Sequence, residues 1–176
     1  GYGHSERPQR FRYGPATQAR LFRHALEALD ARQPVVFGHS WGTLVAVQLA
    51  LQFPEAARSL VLASGLYFPS LRLDAPLVVP PAIPVLGDLM SHTLSPLAGR
   101  AMWPLWVKAI FAPAPVPAAF GAFPAWMALR PGQLRAVAEE AAVTLPATAG
   151  AAKRYRELEL PVVLVTGGED RYVSAE

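Results

Sequence analysis

Pro34-Val35-Val36-Phe37-Gly38-His39-Ser40-Trp41-Gly42-Thr43-Leu44-Val45-Ala46-Val47 is the stretch whose reading decides the fold. Four residues that suit a strand run into Gly38-His39-Ser40-Trp41-Gly42, and an apolar, helix-compatible run follows to Ala50. The pattern G-x-S-x-G at a strand-to-helix turn is that of a nucleophile elbow, and the local chemistry explains its spacing. A hydroxyl that attacks a carbonyl must project from a sharp turn, and small residues two places to either side let strand and helix approach closely. The same turn leaves the Trp41 backbone N–H at a helix start, where it can meet a developing oxyanion. Ser40 is therefore the candidate nucleophile and Trp41 the candidate oxyanion donor.

Outward from the elbow, the chain alternates helix and strand. Pro15 opens a helical pattern in which Leu21, Phe22, Ala25, Leu26 and Leu29 recur on one face. Arg20, Arg23, His24, Glu27 and Asp30 fall on the other, which makes His24 a solvated surface histidine. The helix after Ser40 is apolar nearly all round to about Phe53, and Pro54 stops it. Ser59-Leu60-Val61-Leu62-Ala63 reads as the next strand, a mostly apolar run of the parallel-sheet kind. This order predicts an α/β fold on a parallel sheet. From Leu66 to Leu158 the rhythm breaks, and Leu160-Pro161-Val162-Val163-Leu164-Val165 resumes it. The interval holds 13 of the 18 prolines and three of the four Trp. It is far too long for a connection, so it is expected to form a subdomain.

With those residues in hand, the segment resembles the α/β-hydrolase fold family, in the form written G-H-S-W-G or G-H-S-M-G in many bacterial serine hydrolases. The resemblance implies a partial parallel-sheet core with an inserted helical cap: core over 1–65, cap over 66–158, core resumed over 159–176. Met102, Trp106 and Ile110, with Trp103 and Val107 beside them, form one apolar stripe of this interval. Leu134, Val137, Ala141 and Leu145 form a second, opposite Arg135, Glu139 and Glu140. Most of these residues are expected to pack helices together, with a few facing a pocket. Gly1-Tyr2-Gly3-His4-Ser5 resembles the family's loop after its fourth core strand, so His4 and Ser5 are expected to be loop residues.

A serine nucleophile needs a base within hydrogen-bond reach and an acid to orient that base. Thr166-Gly167-Gly168-Glu169-Asp170-Arg171-Tyr172-Val173 resembles the family's strand–G-x-x-D turn. That resemblance implies that Asp170 is the acid, with Glu169 the nearest alternative. No histidine follows Asp170. His39 sits inside the elbow, and His92 lies in the cap interval. In the family's order of Ser, acid and His, the base is expected beyond Glu176, so residues 1–176 alone lack it. The second oxyanion donor is expected upstream of Gly1. The opening lacks an initiator Met and a signal-peptide pattern, and both ends read as cuts through a fold, so the expectation is an internal fragment.

Composition bounds the rest. Of 176 residues, 52% are hydrophobic and 16% charged, which excludes a disordered chain. The net charge is +3, and the arginines are scattered rather than striped with aromatics, which argues against a nucleic-acid partner. There is no cysteine, which removes thiol catalysis, Cys-ligated zinc and disulfides. No cofactor and no metal are expected. Ala109–Leu129 is uncharged for 21 residues, the length of a membrane span. Pro113, Pro115, Pro117 and Pro124 fall within it, each costing roughly 3 kcal/mol in a helix interior, so no transmembrane segment is expected. A lipid- or substrate-facing cap surface is the lesser alternative.

The family's dehalogenases and epoxide hydrolases carry Asp at the elbow, so Ser40 points instead to an acyl-enzyme route. The resemblance implies a serine hydrolase acting on an ester-like or related acyl bond of a small to medium apolar substrate. The alternatives are a non-catalytic small-molecule binding protein of the same fold and a cofactor-free haloperoxidase or perhydrolase. Oligomeric state and compartment are left open, with the cytoplasm favoured.

Overall fold

Pro15, whose fixed φ suits a first helical position, opens helix α1 (Pro15–Ala28) after Gly14 in an extended conformation. The computed structural model of the chain describes residues 2–6, 8, 11–70, 78–83 and 85–170. Arg171, Tyr172 and Val173 of the acid turn lie outside the described residues. Strand β1 (Val35–His39), helix α2 (Gly42–Gln52) and strand β2 (Ser59–Ala63) follow α1. Helices α3 (Leu86–His92), α4 (Leu94–Phe111), α5 (Ala125–Ala128) and α6 (Pro131–Ala152) come next, and strand β3 (Val162–Val165) resumes the sheet. The chain divides into two compact units. One takes Gly1–Phe11 with Arg72–Val143, and the other takes Arg12–Leu71 with Thr144–Glu176.

In the second of these units the three strands are parallel and adjacent in the order β1-β2-β3. Val35 to His39 pair with Ser59 to Ala63, and Leu60 to Ala63 pair with Val162 to Val165. The sheet is the parallel α/β architecture read from the sequence. Helix α2 lies on it and is buried over Thr43–Val47 and Leu49–Leu51. Leu44, Val47, Ala50 and Leu51 pack with Leu60 and Leu62 of β2 and with Ala151 at the end of α6. Phe53 closes α2, and Pro54 turns the chain into a short 3-10 segment.

Two patterns depart from the sequence reading. Helix α1 meets α2 through Ala19 and Leu26, packed with Val45 and Leu49, while Leu21 and Phe22 are more than half exposed. A small alanine lets the two helices come close, and Gln52 Nε2 then reaches the Ala16 carbonyl at 3.2 Å. Leu21 sits roughly 200° around the helix from Ala19, at 100° per residue, so it faces away. The sheet differs too. β2 alternates, with Leu60 and Leu62 buried. Val35 and Phe37 of β1 and all four residues of β3 are exposed. The apolar runs fit a sheet covered on both faces, whereas α2 and the end of α6 cover one face among the described residues.

The elbow sets the closest approach in this unit. A Cβ placed on Gly38 would lie 2.8 Å from the Gly42 carbonyl oxygen and 2.9 Å from Thr43 Cα, both backbone atoms. One placed on Gly42 would meet nothing within 4 Å. Only Gly38 is thus required by the close approach that the sequence assigned to both. Gly38→Ala is expected to cost about 2 kcal/mol, the scale of forced overpacking, while Gly42→Ala is expected to be neutral or slightly stabilising. Urea unfolding of the two variants side by side checks this.

The other unit is helical, and no strand occurs between β2 and β3 among the described residues. Arg135 of α6 pairs with Asp88 of α3 and, at 2.9 Å, with Glu139 one turn on. The opening turn packs against α6: Gly3 N donates to Gln133 Oε1 at 3.0 Å, and Tyr2 donates to Glu140. Trp103 stacks on Phe123 with centroids 5.9 Å apart, Phe123 stacks on Phe120, and Phe120 meets Phe111 edge-on at 5.0 Å. Trp103→Ala is therefore expected to lower stability by about 1–2 kcal/mol, from the lost stack and its area, readable as a drop in the thermal midpoint.

The second predicted stripe is rearranged. On α6 it is Ala136, Ala138, Thr144, Thr148 and Ala151 that are buried, while Val137 and Leu145 are exposed. Small residues rather than branched ones line its close contacts. The uncharged stretch 109–129 breaks into the end of α4, a proline-rich loop, a 3-10 turn over Ala118–Ala122 and the short α5. No described helix is long and apolar enough to cross a membrane.

Candidate active site

Ser40 stands between β1 and α2 with φ of +51°. A non-glycine residue in the left-handed region is uncommon and strained. Its backbone is held on both sides: Ser40 N donates to the Ala63 carbonyl at 2.9 Å, extending the β1–β2 ladder by one residue. The Ser40 carbonyl accepts from Thr43 N at 3.0 Å and from Thr43 Oγ1 at 2.7 Å. Thr43 is buried, and a Cβ on Gly65 would lie 2.7 Å from its side chain and from the Tyr67 ring. The turn after β2 thus leaves no room for a side chain at position 65 beside the residue that pins the elbow.

Trp41 follows as the residue before the first helical position of α2. N–H groups at this end of a helix have no intrahelical acceptor, which leaves the Trp41 N–H available at the turn. Its indole is half buried and packs in both apolar clusters of the unit. The indole Nε1–H donates to Thr144 Oγ1 at 3.3 Å.

Asp170 is reached from β3. Ser64 N donates to the Val165 carbonyl at 2.9 Å, and the chain then turns so that Asp170 N donates to the Gly167 carbonyl at 3.1 Å. Asp170 is half buried, whereas Glu169 is exposed. His39, Ala63 and Val165 lie in register across the three strands. Ser40 and the turn bearing Asp170 therefore both leave the carboxyl edge of the sheet, where parallel α/β folds gather their chemistry.

The four histidines are spread through the chain. His24 is exposed on α1, with Nδ1 3.3 Å from Glu27 Oε2, as its place in the sequence predicted. His92 Nδ1 lies 2.7 Å from the Asp88 carbonyl oxygen. His4 is exposed in the opening turn, and His39 is exposed at the end of β1. Among the described residues no cluster of His, Asp and Glu fit to hold a metal ion occurs. A cavity of about 320 Å³ lies away from Ser40, around Arg23, Glu27, Asp30 and Gln33 near the amino end of β1. Its walls are bridged by Arg23, 3.0 Å from Glu27 and 3.4 Å from Glu55.

Sequence reasoning missed a pair of tyrosines at the ends of the long interval. Tyr67 donates to the Leu62 carbonyl at 3.1 Å, and Tyr155 donates to the Tyr67 carbonyl. Burial pushes both phenols above their ordinary pKa, against a smaller lowering at Tyr67 from its hydrogen bond with the Gly65 backbone. Both are thus neutral donors at physiological pH. The Tyr67–Tyr155 pair spans 88 residues of sequence, so no local pattern announces it.

With this geometry in place, the comparisons with known proteins are specific about the family. The α/β-hydrolase fold model matches residues 1–176, and the chain belongs to that family. It is 42% identical over 74 residues to a 2-hydroxymuconate semialdehyde hydrolase of Pseudomonas putida, an alignment covering 39% of this chain and 25% of that one. An α/β-hydrolase fold protein of Burkholderia ambifaria superposes with a TM-score of 0.73 at 19% identity, over 94% of this chain and 59% of that one. The epoxide hydrolase CorEH gives 0.71 at 20% identity, over 96% and 63% respectively. The chain thus spans less than two thirds of the length of each of these relatives.

Proposed function

We propose that this chain carries the nucleophile and the acid of a serine hydrolase that cleaves an ester-like or related acyl bond of a small to medium apolar substrate. The observation that carries the reading is the strained Ser40, held at φ +51° between a parallel strand and the helix pressed against it. In this reading Ser40 Oγ attacks the carbonyl carbon, and its proton passes to a histidine base. The Trp41 N–H stabilises the tetrahedral oxyanion. Collapse expels the leaving group, which takes the proton from the imidazolium, and water then releases the acid from the acyl-enzyme. Asp170 orients the imidazole and stabilises its charge. Strands lie roughly 4.8 Å apart, so β1 and β3 are separated by about 10 Å, a gap suited to a ring between the serine and the carboxylate. None of the four histidines of residues 1–176 follows Asp170, so none of them is assigned as the base.

A hydroxyl at position 40 suits carbonyl substrates. The 2-hydroxymuconate semialdehyde named for the Pseudomonas putida relative keeps conjugated carbonyl compounds within the class. The interval 66–158 is assigned as the cap that selects among them. Labelling the complete protein with a fluorophosphonate, followed by peptide mapping, tests the assignment. The adduct is expected on Ser40, and an adduct elsewhere removes it.

A further inference from the structure

We infer that Thr144, on α6, is a positioning residue for the elbow: its hydroxyl sets the Trp41 indole and, through it, the Trp41 N–H. The inference rests on the reading of Ser40 and Trp41 given above. An indole N–H is a donor with no acceptor capacity, and a buried one needs a partner. Here that partner is Thr144 Oγ1, 3.3 Å from Nε1, on a side chain only 7% exposed.

The acceptor is itself fixed. One turn on, Thr148 Oγ1 donates to the Thr144 carbonyl at 3.0 Å and lies 2.9 Å from that of Leu145. Ala147 and Ala151 seat the same helix end against the cluster containing Leu44, Val47 and Ala50. Beyond α6, Tyr155 ties the chain to the Tyr67 carbonyl, and Tyr67 ties it to the end of β2. The helix backbone that carries Thr144 is therefore held in place, and its hydroxyl meets the side chain that follows the nucleophile.

The consequence falls on the backbone. An indole that rotates about its Cα–Cβ bond to find another acceptor, or water, has to repack against the two apolar clusters it joins, and the backbone shift that relieves this crowding tilts the peptide Trp41 shares with Ser40. That peptide carries the N–H assigned to the oxyanion. Ser40, already at φ +51° with its carbonyl bound by Thr43, has little freedom to absorb the tilt. An oxyanion donor works only when aimed where charge develops, so small misplacements are costly to turnover.

Three variants of the complete protein test this on p-nitrophenyl acyl esters. Thr144→Val keeps the shape and removes the acceptor. It is expected to lower kcat on the order of tenfold, within the range that misplacement produces, with KM nearly unchanged and Ser40 labelling slowed in parallel. Thr144→Ser restores the hydroxyl and is expected to recover most of kcat. Trp41→Phe removes the donor, and in that background Thr144→Val is expected to add no further loss, the signature of a coupled pair. Hydrogen exchange of the Trp41 indole N–H is expected to speed up in Thr144→Val. The proposal is overturned if Thr144→Val matches wild type in kcat. It also fails if Thr144→Ser is as impaired as Thr144→Val, or if the two losses simply add. A wild-type protein whose Ser40 takes no label overturns the nucleophile reading together with this one, whereas a labelled Ser40 with an indifferent Thr144 overturns this one alone.

Discussion

Ser40→Ala in the complete protein is expected to abolish fluorophosphonate labelling and to lower kcat on p-nitrophenyl esters by roughly 10⁵- to 10⁶-fold, the scale of removing the nucleophile of a catalytic unit. The fold has little reason to respond. Ser40 already bears the cost of its left-handed φ, and the ladder bond to Ala63 and the bonds from Thr43 are all made by its backbone. An alanine keeps that backbone, so the unfolding free energy read from urea titration is expected to stay within about 1 kcal/mol of wild type. Substrate binding is expected to survive as well, because the hydroxyl gives most of its energy in the transition state. Unchanged hydrolysis would show that the activity belongs elsewhere and would leave a pocket protein that binds without reacting.

The elbow was legible in the sequence because its constraints are local. A strand, a serine and a helix within fourteen residues fix where the hydroxyl stands, and Gly38 shows the crowding that the pattern demands. β2 was legible to the residue, and the proline-broken stretch 109–129 broke as its prolines required. What escaped depends on contacts distant in sequence. Leu21 and Phe22 look like a core face until α2 meets α1 at the smaller Ala19. Val137 and Leu145 look like a stripe, yet the buried positions of α6 are alanines and threonines, which periodicity in large apolar residues does not detect. Thr144 and Tyr155 carried no signal at all. Their partners, Trp41 and Tyr67, are 103 and 88 residues away.

Asp170 stands between these extremes: a local turn marks it, and the role proposed for it depends on a partner distant in sequence. Asp170→Asn is expected to lower kcat by about 10⁴-fold with KM little changed. The amide has nearly the shape of the carboxylate, and the turn that sets it, the bond from Asp170 N to the Gly167 carbonyl, is made by the backbone. Folding is therefore expected to survive. What the amide lacks is charge. It cannot offset an imidazolium, and its NH₂ can hold the ring in the tautomer that presents N–H, rather than a lone pair, to Ser40. Labelling of Ser40 is thus expected to slow along with turnover, since both need the same proton removed. Glu169 supplies the internal comparison: it is one position off the G-x-x-D spacing and exposed, where Asp170 is half buried. Glu169→Gln is expected to change kcat by less than about twofold, as exposed substitutions away from such features do. If the two variants exchanged phenotypes, Glu169 would be the acid and the spacing a poor guide. If neither altered turnover while Ser40→Ala abolished it, the serine would be activated without a carboxylate from this turn, and the assignment of Asp170 would fall.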